Sequence, residues 1–304
     1  MAVILPAMPN LKAFAGVARA PFLLLPVTLI AAGAAAAFYG GAFSWWSTLL
    51  ALIGLVALHM AVNIFNEWSD MRTGIDLATE RTPFSGGSGT LPAGGMSLRA
   101  ALLFGIACSA VGLAVGLYFV GRVGPVLLPI MVAGAICVLI YTEVLARLGI
   151  GEVAAGLGLG GLPVVGAALV NSGEIGAAAV AAGVPASFMT FNLLLLNEFP
   201  DEAADRAGGR KNLVLLFGRR PAAWIWAAAA AATPLSIVVA VAMSVLPPLA
   251  LAACLPSLLL AAPMRWVVSD PMQPVPIPAM GANVTWNLAT NTVLAIALVG
   301  AALL

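Results

Sequence analysis

The sequence predicts an all-α polytopic membrane protein of about nine transmembrane helices, on the basis of three observations. First, 62% of its 304 residues are hydrophobic and 8% are charged, whereas soluble domains carry about 25% charged residues. Second, the hydrophobic residues form charge-free windows about as long as the 20 residues that span a bilayer. Third, the cationic residues collect on one side of the predicted membrane. A single water-soluble globular domain is therefore excluded.

The charge-free windows give the spans in chain order. Residues 20–66 are interrupted at Tyr39-Gly40-Gly41 and predict the first two spans, and residues 221–264 are interrupted at Pro247-Pro248 and predict the seventh and eighth. Four windows between them predict one span each: residues 100–121, 123–142, 153–173 and 175–197. The ninth span follows a proline-rich linker within residues 271–304. We expect residues 1–304 to form a single membrane domain.

The cations give the predicted orientation. If nine spans alternate in direction, all but one of the 13 Lys and Arg residues fall on one side, namely Lys12, Arg19, Arg72, Arg81, Arg99, Arg147, Arg206, Arg210, Lys211, Arg219, Arg220 and Arg265. Arg122 alone falls on the other side. By the positive-inside rule the first side is cytoplasmic. We therefore expect a multi-pass protein of the cell membrane (inner or plasma membrane) with a cytoplasmic N-terminus and an external C-terminus.

Cysteine and histidine usage disfavours zinc or iron chemistry. Cys108, Cys137 and Cys254 occur singly within apolar windows, and His59 is the sole histidine. A zinc centre would need these residue types in clusters. The cysteines are therefore interpreted as small core residues.

Acidic residues concentrate in two windows, each at the cytoplasmic end of a predicted span. In the first window, Asn66 and Asp70 lie four residues apart, and Asn63 lies three residues before Asn66. The second window repeats the four-residue spacing: Asn197, Asp201 and Asp205. Residues four apart share one face of a helix, so each helix end is expected to present a stripe of oxygen ligands. Carboxylates at a membrane boundary are costly unless they are solvated, paired or bound to a metal.

Such oxygen-rich stripes suit Mg²⁺, which proteins hold through a few carboxylates together with substrate phosphates. Two stripes facing each other could each hold one Mg²⁺, with a diphosphate bridging them. The alternative is that both are polar helix ends wetted by lipid headgroups, and the matched spacing in two windows disfavours it.

Cations follow both stripes and fit an anionic ligand. Arg72 and Arg81 follow the first stripe, and Arg206, Arg210 and Lys211 follow the second. Arg19 lies near the start of the first span, where snorkelling to the interface is the alternative interpretation. The positive-inside bias explains some of these residues, and phosphate binding is predicted for the others.

A glycine-rich loop lies between the first stripe and the third span. Residues 82–92 contain Gly86, Gly87 and Gly89 but lack the Gly-Lys-Ser/Thr ending of a P-loop. Beside a phosphate site, such a loop is predicted to act as a lid that brings backbone N–H groups to the substrate.

These motifs together resemble the UbiA superfamily of prenyltransferases. Asn66-Glu67-x-x-Asp70-x-x-x-Gly74-x-Asp76 resembles the first Asp-rich motif in the branch that makes menaquinone, with Glu67 in place of the usual Asp. Asn197-x-x-x-Asp201-x-x-x-Asp205, followed by Gly209-Arg210-Lys211, resembles the second motif and its tail. Tyr141-Thr142 followed by Gly149-Ile150-Gly151-Glu152 resembles the region between the fourth and fifth helices of the same branch.

The resemblance implies nine helices around a central cavity, with both motifs at its cytoplasmic mouth. It implies that Asn66, Asp70, Asp201 and Asp205 bind Mg²⁺, with Asp76 and Asn197 as further candidate ligands. Glu67 is expected to ligate metal or to pair with Arg72. Arg19, Arg72, Arg81 and Lys211 are the candidate diphosphate-contacting cations. Tyr141 matches a position near the reacting carbon, so Asp70, Asp201 and Tyr141 are the predicted catalytic residues.

The predicted function is Mg²⁺-dependent transfer of a polyprenyl group from an isoprenyl diphosphate to an aromatic acceptor, with 1,4-dihydroxy-2-naphthoate as the first choice. The second motif departs from the Asn-Asn-x-Arg-Asp form of that branch. A benzoquinone precursor or a glycerol-phosphate lipid therefore remains an alternative acceptor. A terpene cyclase on the same fold and a transporter are the rival classes. The expected surroundings are the bilayer, with no nucleic acid and no obligate protein partner.

Overall fold

The computed structural model describes residues 9–304, and this part of the chain is helical. Eight of its helices are long and apolar enough to cross a bilayer, and a bent pair of shorter helices supplies a ninth candidate span. This confirms the predicted fold class of an all-α protein with about nine spans.

The spans follow one another in the predicted order. The eight long helices are α2 (Ala20–Tyr39), α3 (Trp45–Thr73), α5 (Leu98–Val123), α8 (Gly151–Ser172), α9 (Ala177–Ala207), α11 (Arg219–Ala242), α12 (Pro248–Ser269) and α13 (Ile277–Leu303). The bent pair is α6 (Pro125–Leu139) with α7 (Tyr141–Leu148). Three short helices complete the chain: α1 (Leu11–Val17), α4 (Ile75–Ala78) and α10 (Leu213–Phe217).

The two helices that carry the acidic motifs are longer than a bilayer requires. Helix α3 has 29 residues and α9 has 31. At 1.5 Å per residue each is more than about 40 Å long, against a hydrocarbon core of about 30 Å. Each helix is therefore long enough to extend its last turns, which hold the motif, beyond the apolar layer.

The predicted fourth span is not one continuous helix. α6 and α7 meet at an angle of 66°, with Ile140 at the break. The residues after the break, Tyr141–Leu145, form a wider π-type turn, a distortion that often marks functional sites. The bend turns Tyr141 into the centre of the bundle, where it lines the cavity described below.

Small residues let the central helices approach one another closely. An ideal Cβ on Gly33 of α2 would lie 2.3 Å from the carbonyl oxygen of Val164 in α8. On Gly160 of α8 it would lie 2.6 Å from the carbonyl oxygen of Ala186 in α9. Backbone contact through small residues is the usual way in which membrane helices associate. These contacts place α8 directly against both α2 and α9.

Candidate functional site

A single cavity collects most of the residues that the sequence singles out. Nine of the predicted site residues line it: Arg19, Asn66, Asp70, Asp76, Tyr141, Asn197, Asp201, Asp205 and Lys211. The two acidic motifs lie more than 120 positions apart in the sequence. They meet because α3 and α9 end at the same end of the cavity.

Glu67, Arg72 and Arg81 are not among the residues that line this cavity. Arg72 is exposed, and its guanidinium stacks 4.4 Å from the centre of the Trp68 ring. Arg81 is also exposed, and it donates a hydrogen bond to the backbone oxygen of Asp76 at 2.8 Å. The structure therefore brings neither arginine into contact with the carboxylate-lined space.

Glu67 is fully buried and pairs with Arg19 rather than with Arg72. Arg19 Nε donates to Glu67 Oε1 at 2.9 Å, and a second guanidinium nitrogen donates to Asn66 Oδ1 at 3.3 Å. Arg19 has a backbone φ of 51°, in the left-handed region. A non-glycine residue held in that region costs of the order of 1–3 kcal/mol, and its side-chain contacts with the first motif offset this cost.

Arg210 connects the two acidic motifs. Its guanidinium pairs with Asp70 of the first motif, and at 3.3 Å with Asp205 of the second. Burial opposes its charge, but the two carboxylates outweigh burial and raise the pKa of the Arg210 guanidinium above its usual value. Asn212 donates to the other oxygen of Asp205 at 3.0 Å. The segment after α9 thus folds back over the cavity mouth.

Asp76 reaches the cavity from a separate helix. Gly74 ends α3 in the left-handed conformation, with φ 82°, and α4 starts immediately after it. The turn directs Asp76 back toward the first motif, where it is buried. Burial, together with the charges of Glu67 and Asp70, raises the pKa of the Asp76 carboxyl to about 7. Asp76 thus lies in a site where negative charge is already concentrated.

The glycine-rich loop contacts both acidic motifs. Ser88 donates to Glu67 through its backbone N–H (2.6 Å) and through its hydroxyl (2.7 Å). The backbone N–H of Gly86 donates to Asp201 Oδ2 at 3.2 Å. Gly87 has a φ of 72°, and a Cβ there would lie 2.6 Å from Asp76 Oδ1. The loop needs glycine at this position for both its backbone conformation and its closeness to Asp76.

Several oxygen atoms at the mouth have no hydrogen-bond partner within the described chain. They are Asp76 Oδ2, Asn197 Oδ1 and Asp201 Oδ1, all buried. Within residues 9–304, no three Asp, Glu, His or Cys side chains lie close enough together to form a ready-made metal centre. Free hard oxygen ligands without an all-protein cage agree with Mg²⁺, which takes a few protein oxygens and completes its shell with phosphates and water. The residues present therefore fit this metal.

Away from the acidic mouth the cavity wall becomes apolar. Phe22, Leu25, Val62, Leu159 and Leu193 line this part. An apolar wall of this kind suits a hydrocarbon chain. The cavity thus combines an end suited to phosphates and metal with an interior suited to an isoprenoid.

Three charged residues of the cavity wall were not predicted as site residues. Arg210 was grouped with the cations near the second stripe, and its position between the motifs depends on the fold of residues 208–212. Glu152 and Glu198 also line the cavity and are buried. Glu198 directly follows Asn197, but its position does not fit the four-residue spacing from which the stripe was predicted.

These observations define a class: an integral membrane protein whose helical bundle encloses an apolar cavity with acidic residues at its mouth. The profile of the UbiA prenyltransferase family matches residues 24–288. The chain belongs to the UbiA prenyltransferase family, as its motifs predicted.

Comparisons with individual proteins agree with this family. The chain is 25% identical over 183 residues to a 1,4-dihydroxy-2-naphthoate octaprenyltransferase of Bacillus subtilis (strain 168). The alignment covers 59% of this chain and 58% of that relative, so it spans a little over half of its length.

Two solved structures share the fold. A UbiA homologue from Aeropyrum pernix K1 has a TM-score of 0.69 and 19% identity, over 91% of this chain and 97% of the other. A UbiA homologue from Archaeoglobus fulgidus bound to GPP and Mg²⁺ has a TM-score of 0.64 and 16% identity, over 95% of this chain and 99% of the other. At these identities the similarity establishes the fold.

Proposed function

We propose that this protein transfers a prenyl group from an isoprenyl diphosphate to an aromatic acceptor in a Mg²⁺-dependent reaction. The observation that carries the proposal is the cavity itself, in which carboxylates of both motifs surround the mouth and apolar side chains line the interior. The UbiA homologue from Archaeoglobus fulgidus, which has a similar fold, is bound to GPP and Mg²⁺. This supports the same classes of ligand for the present protein.

Asn66, Asp70, Asp76, Asn197, Asp201 and Asp205 would hold the metal, directly or through water. When bound, Mg²⁺ would stabilise the negative charge that develops on the departing diphosphate. The unpartnered oxygens of Asp76, Asn197 and Asp201 support this assignment. Asp70 and Asp205 would contribute once a cation or substrate competes with Arg210 for their oxygens.

The cations of the mouth would bind the diphosphate. Arg19, Lys211 and Arg210 line the cavity, and guanidinium groups suit bidentate contact with phosphate oxygens. Arg210 is placed to change partner, because its two carboxylate contacts come from opposite motifs. These side chains would stabilise the leaving group without having to move far.

The apolar interior would protect the reacting allylic carbon from water. Tyr141 projects into this space from the bent pair and would lie beside the reacting carbon, where its ring could stabilise positive charge. The bend between α6 and α7 is therefore a functional feature of the proposed site.

For the acceptor we propose 1,4-dihydroxy-2-naphthoate or a related quinone precursor. The similarity to a 1,4-dihydroxy-2-naphthoate octaprenyltransferase supports this choice, as do the motif resemblances around Tyr141 and Glu152. A benzoquinone precursor, a glycerol-phosphate lipid, or cyclisation of the donor without an acceptor are the competing outcomes.

Product analysis tests the proposal. The purified chain in lipid nanodiscs would be incubated with isoprenyl diphosphates of several lengths and with each acceptor class, with Mg²⁺ or with EDTA. We expect a prenylated naphthoate-derived product that requires Mg²⁺. A hydrocarbon formed from the donor alone would identify a cyclase, and turnover undiminished by EDTA would overturn the metal assignment.

A further inference from the structure

A second pair of carboxyl groups lies in the cavity and has no part in the site as proposed above. Glu152 stands in the first turn of α8 and Glu198 in α9, and both side chains line the cavity within hydrogen-bonding reach of each other. Glu152 is 1% exposed and Glu198 is 9% exposed. Carboxyl groups this deeply buried require partners, because an unsatisfied polar group in an apolar setting is costly.

Each carboxyl group keeps one oxygen without a protein partner. Glu152 uses Oε1 to accept a hydrogen bond from the backbone N–H of Leu213 at 2.6 Å. Glu152 Oε2 and Glu198 Oε2 are buried and have no hydrogen-bond partner within the described residues. The wall of the cavity therefore presents two acceptor atoms that a bound donor group would satisfy.

The position of Glu152 places it between the polar and apolar parts of the cavity. Ala155 follows it by three residues on the same face of α8, and the apolar side chains of Ala155 and Leu159 both line the cavity. Tyr141 stands beside it, since a Cβ on the neighbouring Gly151 would lie 3.6 Å from the tyrosine hydroxyl. A flat ring next to Tyr141 could therefore direct a hydroxyl group toward Glu152.

We propose that Glu152 binds the hydroxyl group of the aromatic acceptor and takes its proton during prenyl transfer, with Glu198 as a second acceptor of hydrogen bonds from the same substrate. The inference rests on the proposed function and specifies how this site recognises the acceptor. The cations of the mouth would attract an acceptor carboxylate, so any such group would point toward them.

The C–O bond of the donor breaks and its electron pair leaves with the diphosphate, while a ring carbon of the acceptor bonds to the allylic carbon. The acceptor O–H bond breaks at the same time: its proton passes to Glu152, and its electron pair forms a C=O bond. The alkylated carbon then loses its proton and the oxygen regains one, which restores the aromatic ring. One proton per turnover leaves through Glu152 to water.

Glu152→Gln is the decisive variant, because an amide oxygen can still accept the hydrogen bond from Leu213 while the group can no longer act as a base. We expect kcat to fall by about 10²-fold, the range of general-base contributions, and the KM for the diphosphate donor to stay within about twofold. Glu143→Gln is the matched control: this exposed glutamate near Tyr141 contacts Ser69 at 2.6 Å and does not line the cavity.

A binding measurement separates recognition from folding effects. Inhibition constants would be compared for a hydroxynaphthalene and for its methyl ether, which lacks the donor. In the unmodified protein the hydroxyl compound should bind about tenfold more tightly, as expected for one hydrogen bond. In Glu152→Gln this difference should shrink to less than about threefold, because an amide N–H can donate to an ether oxygen.

If the unmodified protein prenylates a hydroxyaromatic acceptor, two results would overturn the role of Glu152 without touching the proposed function. One is a normal kcat and a normal acceptor KM in Glu152→Gln. The other is a change in Glu152→Gln that is confined to the donor KM. If the unmodified protein prenylates no hydroxyaromatic compound, the proposed function fails, and this assignment of Glu152 fails with it. The two failures are therefore distinguishable.

Discussion

At the scale of single residues, the acidic motifs are where sequence spacing and structure agree best. The spacing of Asn66 and Asp70 and that of Asn197, Asp201 and Asp205 predicted two stripes, and all five side chains line one cavity. Helical periodicity is a local property, so sequence could predict it. The partners of these residues depend on the fold of loops. The ion pairs of Arg210 with Asp70 and Asp205 were therefore not predicted.

The partners of Glu67 also could not be predicted from local sequence. Its place in the motif suggested a metal ligand or a partner for Arg72, which follows it on the same helix. The structure pairs it with Arg19 and with Ser88 of the glycine-rich loop. Both partners come from distant parts of the chain, and no local pattern in the sequence specifies them. Glu67 therefore anchors the loop and the first span to the motif.

The central carboxylates should be essential for turnover but not for folding. Asp70→Ala and Asp201→Ala each remove a charge whose effect is greatest as the diphosphate leaves, so we expect losses of at least about 10²-fold in kcat. Product formation would be measured in nanodiscs at matched protein amounts. Glu80→Ala is the control, since Glu80 is an exposed acid close to the first motif in sequence. Near-normal rates in either aspartate variant would contradict the metal assignment.

At the scale of helices, sequence located the spans but not their shapes. Charge-free windows report apolar length, so they predicted the order and number of the spans. The window at residues 123–142 carries no mark of the 66° bend between α6 and α7. The bend brings Tyr141 to the cavity. The close neighbours of the glycines in α8 also become visible only in the structure.

Close packing of α8 against α9 should depend on Gly160. A Cβ there would meet the carbonyl oxygen of Ala186 at 2.6 Å, and backbone cannot yield as a side chain can. Gly160→Ala should therefore cost about 1–3 kcal/mol, the usual range for overpacking. Gly134→Ala is the matched control, because a Cβ on Gly134 of α6 meets nothing within 4 Å.

Thermal unfolding in detergent would compare the two alanine variants. Gly160→Ala should unfold several degrees lower than the unmodified protein. Gly134→Ala should unfold at the same temperature or slightly higher, since alanine favours a helix over glycine. Equal unfolding temperatures for both variants would show that this contact does not limit the approach of the two helices.

The glycine-rich loop should respond to ligand. Its contacts to Glu67 and Asp201 pass through Ser88 and Gly86, so metal or diphosphate at the mouth would change them directly. We expect residues 82–92 to gain protection from protease when Mg²⁺ and a diphosphate analogue bind, as the loop closes and excludes water. Cleavage that is equally fast with and without these ligands would contradict a lid.

Arg81 offers a second test of the same loop. It is exposed and bonded to the backbone of Asp76, so contact with phosphate requires its side chain to swing inward. Arg81→Ala should then weaken donor binding by about tenfold, the loss expected for one charge-assisted hydrogen bond. Arg99→Ala, at the exposed start of α5, is the matched control. Equal donor affinities for the two variants would exclude Arg81 from the site.

At the scale of the whole molecule, the charge distribution and the odd number of spans support one another. Twelve of the 13 cations share one side only if the bent pair α6–α7 crosses the membrane once. Eight spans would return the C-terminus to the side of the N-terminus. Overall hydropathy is the same in these two cases, because a bent pair is also the shape of a re-entrant loop.

Topology mapping distinguishes the two. We expect Leu304 outside the cell, and both acidic motifs in the cytoplasm, because the positive-inside rule favours the arginine-rich loops there. In one fusion, a phosphatase that is active only outside the cell would follow Leu304. In a second fusion, a fluorescent protein that folds only in the cytoplasm would follow the same residue. A fusion after Gly208, which follows the second motif, serves as the internal control and should report the cytoplasm. A fluorescent C-terminal fusion with an inactive phosphatase would show that α6 and α7 enter and leave on the same side. The span count would then be eight. Arg122, which precedes the bent pair, would stay outside, and the second motif would lie outside with it, so the Gly208 fusion would report the outside as well.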